Sequence, residues 1–117
     1  MPKLSATAQA QRSRERISRI RAAIGAFDYL CSGTLLEHLT RCGKPGCRCA
    51  QDPAARHGPY YDWGHMHNGK LLRRRLSAEQ AKLLRPAIAN YRKVKKLLRA
   101  WEAETERLID AEAPRQR

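Results

Sequence analysis

The dipeptide Asn68-Gly69 constrains this chain more tightly than any other pair of neighbours. Asn-Gly is the preferred centre of a two-residue type I′ turn, because both positions need a positive φ and the turn's twist matches that of the flanking strands. It stands between PYYDWGHMH and KLLRRRL, two runs rich in residues that suit strands. The turn then dictates a register. His67 faces Lys70, Met66 faces Leu71, His65 faces Leu72, Trp63 faces Arg74 and Tyr61 faces Leu76. One face of the ribbon carries Tyr61, Trp63, Leu72 and Leu76 and is expected to pack on helices. The other carries Tyr60, Asp62, Met66, Leu71, Arg73 and Arg75 and is mixed and basic. The short run TLLEHLT, residues 34 to 40, predicts one further strand.

Helical periodicity lies on both sides of this sheet. Residues 5 to 30 read as a helix within a basic amphipathic segment, 1–31. Ala10, Ser13, Ile17, Ile20, Ile24, Phe27 and Cys31 advance by threes and fours along one stripe. Five arginines between Arg12 and Arg21 fall mostly off it, and Ser32-Gly33 is the expected terminator. Cys31, at the end of the stripe, is expected in the core. Ser77 with Gln80 makes a capping box that opens a second helix, expected over 77–113. Pro86 lacks an N–H and is expected to kink or break it near residues 82–85. Leu84, Ile88, Tyr91, Leu98, Trp101 and Leu108 continue a stripe that Val94 and Leu97 widen. The two stripes predict helices packed on each other or across a homodimer.

Charge narrows the function. The chain of 117 residues has 24 Lys and Arg against 11 Asp and Glu, net +13. Residues 1 to 99 hold 21 of the basic and 6 of the acidic side chains, net +15, and the C-terminal segment is net −2. A basic body of this kind predicts a polyanionic partner, foremost nucleic acid. No apolar run approaches the length of a bilayer span. The N-terminus has no apolar segment like that of a signal peptide. It is Arg-rich and acid-poor like an organelle transit peptide, but its apolar spacing continues into the domain. A cytoplasmic protein with reduced cysteines is therefore expected, nucleoid-associated if it binds DNA.

Three of the four cysteines lie in the most polar and turn-prone segment, RCGKPGCRCAQDPAARHGPYY. A cysteine that serves packing belongs in an apolar run, so a different chemistry is called for. Cys42, Cys47, Cys49 and His57, spaced C-x4-C-x-C-x7-H, are three soft donors and one borderline donor, a set that suits tetrahedral Zn2+. The GKPG turn would fold Cys42 back toward Cys47 and aim peptide N–H groups at the sulfurs. Lys44 and Arg48 would offset the thiolate charge. His65 and His67 compete with His57 for the fourth position, and ordinary reduced cysteines beside a turn remain the plain alternative. A loop can wrap an ion, and an ion can hold together a loop that has no core.

GTLLEHLTRCGKPGCRCA, HGPYY and the Asn-Gly hairpin followed by a Ser-capped basic helix resemble a family of small uncharacterised prokaryotic proteins. Its hallmark is similar to C-G-K-P-x-C-x-C followed by H-G-P-Y-Y. The likeness spans about residues 30 to 98 and implies that Cys42, Cys47, Cys49 and His57 are hallmark positions. It also implies an association with mobile elements, and it implies no activity.

Together these readings predict an α+β protein, residues 1–117 forming a single domain. A basic N-terminal helix precedes a three-stranded antiparallel sheet over 33–76, with the zinc loop between its first two strands, and a long C-terminal helix follows. The expected function is nucleic-acid binding, duplex DNA before RNA. Lys70, Arg73, Arg74 and Arg75 are expected to contact phosphate, with Lys44 and Arg48 beside the loop and His67 at the hairpin tip. Arg74 shares a face with Trp63 and is expected to stack on it. Tyr60, Tyr61 and Trp63 keep base stacking open, although Tyr61 and Trp63 suit a core. The alternative is a protein-interaction adaptor working through its helices. Paired carboxylates in a motif, a Gly-rich phosphate loop, a serine elbow and a deaminase signature are all missing, so neither an enzyme nor a small-molecule substrate is expected.

Overall fold

The computed structural model describes residues 5–113. In chain order these form α1 (Ala6–Gly25), β1 (Thr34–Thr40), 3-10 turns at Arg48–Ala50 and Pro53–Ala55, β2 (His57–His67), β3 (Lys70–Leu76) and α2 (Ala78–Glu112). This is the expected α+β arrangement, with one antiparallel sheet ordered β1-β2-β3. The expectations for residues 1–4 and 114–117 fall outside the described residues. The chain divides into two compact units, Tyr29–Ala89 and Met1–Asp28 with Asn90–Arg117.

In the first unit, the β2–β3 register is the one the Asn-Gly turn dictates, from His67↔Lys70 through Trp63↔Arg74 to Tyr61↔Leu76. Asn68 holds φ at 50°, as a type I′ turn requires. Leu76, Leu84, Ala87 and Ile88 form the buried core, with Cys31, Leu35, Tyr61 and Trp63 packed against it. Leu72, expected on the packed face, is exposed and stands outside the core cluster that Leu76 joins. Gly33 has φ +112° at the entry to β1. A Cβ there would collide with the Gly64 carbonyl and with Trp63 Nε1, which donates to Ser32 O at 2.9 Å. Only glycine lets the backbone pass this close to the indole.

Two expectations about the helices need correction. α1 ends at Gly25, not at residue 30. The N–H groups of Ala26 and Phe27 reach back to Ala23 and Ile24, tightening the last turn. Cys31 then donates its N–H to Ala87 O at 3.2 Å, in a non-helical segment docked on the core. Phe27 and Cys31 kept the spacing of the stripe without being helical. Pro86, for its part, does not break α2, which is continuous from Ala78 to Glu112. Proline removes one i→i−4 bond, while Leu84, Ala87 and Ile88 on either side are buried. The capping box forms in both directions: Gln80 N–H donates to Ser77 Oγ at 3.1 Å and Ser77 N–H to Gln80 Oε1 at 3.0 Å.

In the second unit, α1 lies along the later part of α2. Ala10, Ser13 and Val94 are buried. Arg14 pairs with Glu112, and Arg16 with the buried Glu104 at 3.5 Å, which Arg107 also holds. Ile17, Ile20 and Ile24 are half-buried, as the stripe predicts. Leu98 is exposed, and the stripe of α2 instead runs through Val94, Leu97 and Trp101 to Glu104.

Candidate metal centre

The ends of the cysteine loop are pinned by the sheet. Thr40 pairs with His57, and an irregularity between His38 and Thr40 absorbs one extra residue of β2. Cys42 and His57 are therefore brought close by strand pairing before any ion is considered. Between them, Lys44-Pro45-Gly46-Cys47 closes with Cys47 N–H donating to Lys44 O at 3.3 Å. Gly46 has φ +80°, the value a type II turn demands after proline. Arg48–Ala50 then winds one 3-10 turn, which turns Cys49 inward. Cys49 is 2% exposed, although it sits in a loop of polar residues.

The Sγ atoms of Cys42, Cys47 and Cys49 and a ring nitrogen of His57 all lie within 4.8 Å of one another. Cys42 and Cys49 sulfurs are 3.5 Å apart, and Cys47 Sγ is 3.4 Å from His57 Nε2. Thiolates at about 2.3 Å from a tetrahedral zinc would stand roughly 3.8 Å from each other. The four donors fit an ion of that size, so the chain carries a Cys3His cluster able to coordinate a metal. The electrostatics agree. The Cys49 peptide N–H, followed by His57, lowers the Cys47 thiol to about 6, toward the thiolate that a metal needs. The Cys42 N–H donates to Cys49 Sγ at 3.4 Å and pulls that thiol down, but burial and the neighbouring sulfurs outweigh it and raise Cys49. An ion would reverse that balance.

His65 stacks on Trp63 with ring centroids 4.0 Å apart, and His67 is exposed near the turn, so neither joins the cluster. The ring contact made by Trp63 is thus with His65, not with Arg74 as expected. Arg74 lies beside the indole, lining an apolar groove. Arg48 pairs with Asp52 at 3.6 Å, and Lys44 sits in the turn. Lys70 and Arg73 are exposed on β3, an edge strand. Arg75 donates from Nε to Asp62 Oδ1 at 2.7 Å and lies over Tyr60, 4.6 Å from the ring centre.

Asp62 is a site that sequence reasoning missed. Its Oδ2 is 2.6 Å from His38 Nε2, and Arg75, with His38 second, holds its carboxyl below the usual range. The hairpin register already placed Asp62 opposite Arg75, and that was the available signal. His38 enters through the β1–β2 register, which pairs Leu36 with Asp62 and His38 with Tyr60.

No helix among the described residues is long and apolar enough to cross a membrane. Neither a curated protein nor a solved structure matches this chain. Residues 7–86, more than half of it, match the domain of unknown function DUF6788, a span that starts earlier and ends sooner than the resemblance suggested. The chain therefore belongs to the DUF6788 family.

Proposed function

We propose that this chain is a zinc-stapled nucleic-acid-binding module, without catalytic activity, that grips duplex DNA along the basic edge of its hairpin. Zinc is the ion that three thiolates and an imidazole select, and a set closed by four protein ligands is structural. The observation that carries the reading is the imbalance of charge in the sheet unit. Residues 29–89 hold ten Lys and Arg but four Asp and Glu. Three of those acids are engaged by Arg48, Arg75 and Arg85. Arg41, Lys44, Arg56, Lys70, Arg73, Arg74 and Lys82 make no ion pair among the described residues. Three of these seven follow one another along β3, and strand ribbons enter DNA grooves. Cations on an edge strand also discourage sheet-to-sheet aggregation, so a binding measurement must separate the two roles.

Titration of random-sequence duplex against salt does so. Affinity should fall steeply as salt rises, because each phosphate contact releases counterions. The pair Lys70→Ala with Arg73→Ala should flatten the log–log slope by about two units. Arg75→Ala should do less, since that guanidinium is held by Asp62. No binding at low salt, or an unchanged slope, would move the adaptor reading ahead. That second reading is favoured by the exposed Leu98 and Ile109 on α2.

A further inference from the structure

Gly64 lies in the middle of β2, the central strand, and points to the sheet face opposite the core. Its missing side chain leaves a cleft of about 240 Å³, walled by Thr34, Leu36, Asp62, Leu71 and Arg73. Sites for drug-sized ligands run roughly 300–1,000 Å³, so this one suits a single flat ring system. Leu36 and Leu71 are exposed, at 49% and 62%, and offer apolar walls. The polar groups stand at the rim. Arg73 makes no ion pair, and Asp62 presents a carboxylate whose orientation is set by Arg75 on one oxygen and His38 on the other.

From this the geometry points to a pocket for one unpaired nucleobase, preferentially guanine, on the open face of the sheet. The inference rests on the nucleic-acid reading above and names the ligand of its sheet. A carboxylate oxygen has two lone-pair sites, so Asp62 retains one on each oxygen after its contacts with Arg75 and His38. Guanine alone among the four bases offers two adjacent donors, N1–H and N2–H, to a carboxylate. Thymine offers one donor, cytosine and adenine a single amino group on that edge. A ring lying over Gly64 would meet backbone and the two leucines, the apolar contact that lines most ligand sites. Arg73, across the strand pair from Gly64, is placed to meet the adjoining phosphate.

Two variants fill the cleft without touching the basic edge. A Cβ at position 64 would meet only Leu71 Cδ1, at an ordinary 3.9 Å, so the position has room for the first atom of the side chain in Gly64→Val. Thr34→Leu narrows the same cleft from β1. Metal content and melting temperature report that each variant is folded. The probes are short single strands, fluorescently labelled, carrying guanine, inosine or thymine at one position in an otherwise uniform thymine run. Anisotropy should give the guanine strand about tenfold tighter binding than thymine, the discrimination of one good bidentate base contact. Inosine, which lacks the N2 amino group, should lose most of that gain. Gly64→Val and Thr34→Leu should abolish the guanine preference, and both should leave blunt-duplex affinity within about twofold, because phosphate contacts dominate it. Equal affinity for guanine and thymine strands overturns the pocket, as does a preference that survives both filled variants. Loss of blunt-duplex binding in the parent overturns the duplex reading instead, and the guanine preference is still read from the single strands.

Discussion

β2 and β3 are joined by two residues, Asn68 and Gly69, whereas β1 and β2 are joined by sixteen, residues 41–56. The short connection needs no help. Its backbone conformation matches the strand twist, and the side chains that follow fall into register. The long one buries only Cys49, and four metal-ligating donors gather within it and at its end. One connection is specified by neighbours in sequence. The other brings together, from across many residues, four donors able to hold an ion.

The largest expected effect follows from taking that ion away. Purified protein should carry about one zinc per chain, and Cys49→Ser or a strong chelator should release it, destabilising the sheet unit by several kcal/mol. Elemental analysis and melting curves measure both. Cys31→Ser should change neither the metal content nor the loop, because Cys31 lies on the core cluster. Protein purified without chelator that holds no metal would remove the distinction between the two connections.

A matched pair of glycines sharpens it. Gly46 and Gly69 have φ of +80° and +79°, and a Cβ at either would meet nothing within 4 Å. Alanine at either position should therefore cost about 1–2 kcal/mol in backbone strain alone. In the long loop the cost should appear as weaker zinc affinity, by roughly tenfold for each 1.4 kcal/mol. In the hairpin it should appear as a lower melting temperature at unchanged zinc affinity. Competition with a chromogenic chelator, run beside thermal melts, distinguishes the two. Equal effects on zinc affinity would mean that the connections are not independent.

The smallest expected effect belongs to the acid limb of stability. Asp62 has its carboxyl lowered on folding, so its contribution is fully present above the ordinary carboxylate range. It is lost as pH falls through the depressed folded value. Asp62→Asn should flatten the dependence of the melting temperature on pH in that acidic window and leave the neutral-pH metal content alone. An unchanged acid limb would mean that Arg75 and His38 do not stabilise the carboxylate.

The same contrast explains what the sequence made legible. The hairpin register could be written down from Asn68-Gly69, because a two-residue turn leaves no freedom. The β1–β2 register could not, because sixteen residues separate the strands, and so the meeting of His38 with Asp62 was missed. The donor types of the metal cluster were plain in the spacing. The selection of His57 over His65 and His67 was not, since it depends on the pairing of Thr40 with His57 and on the stacking of His65 against Trp63. Periodicity overextended α1, because Phe27 and Cys31 keep helical spacing in a segment whose backbone bonds elsewhere. Of the two outcomes expected at Pro86, the break does not occur, because one lost hydrogen bond is small beside the burial of Leu84, Ala87 and Ile88.

Each compact unit holds one of the two tryptophans, Trp63 in the sheet unit and Trp101 in the helical one. The molecule thus comes with its own pair of optical reporters. Trp63→Phe leaves emission from the helical unit alone, and Trp101→Phe leaves emission from the sheet. α2 runs without interruption from Ala78 to Glu112 and so belongs to both. Because helix formation is cooperative along a continuous hydrogen-bond ladder, unwinding that starts in one unit spreads toward the other. The two single-tryptophan proteins should lose their native emission at the same denaturant concentration.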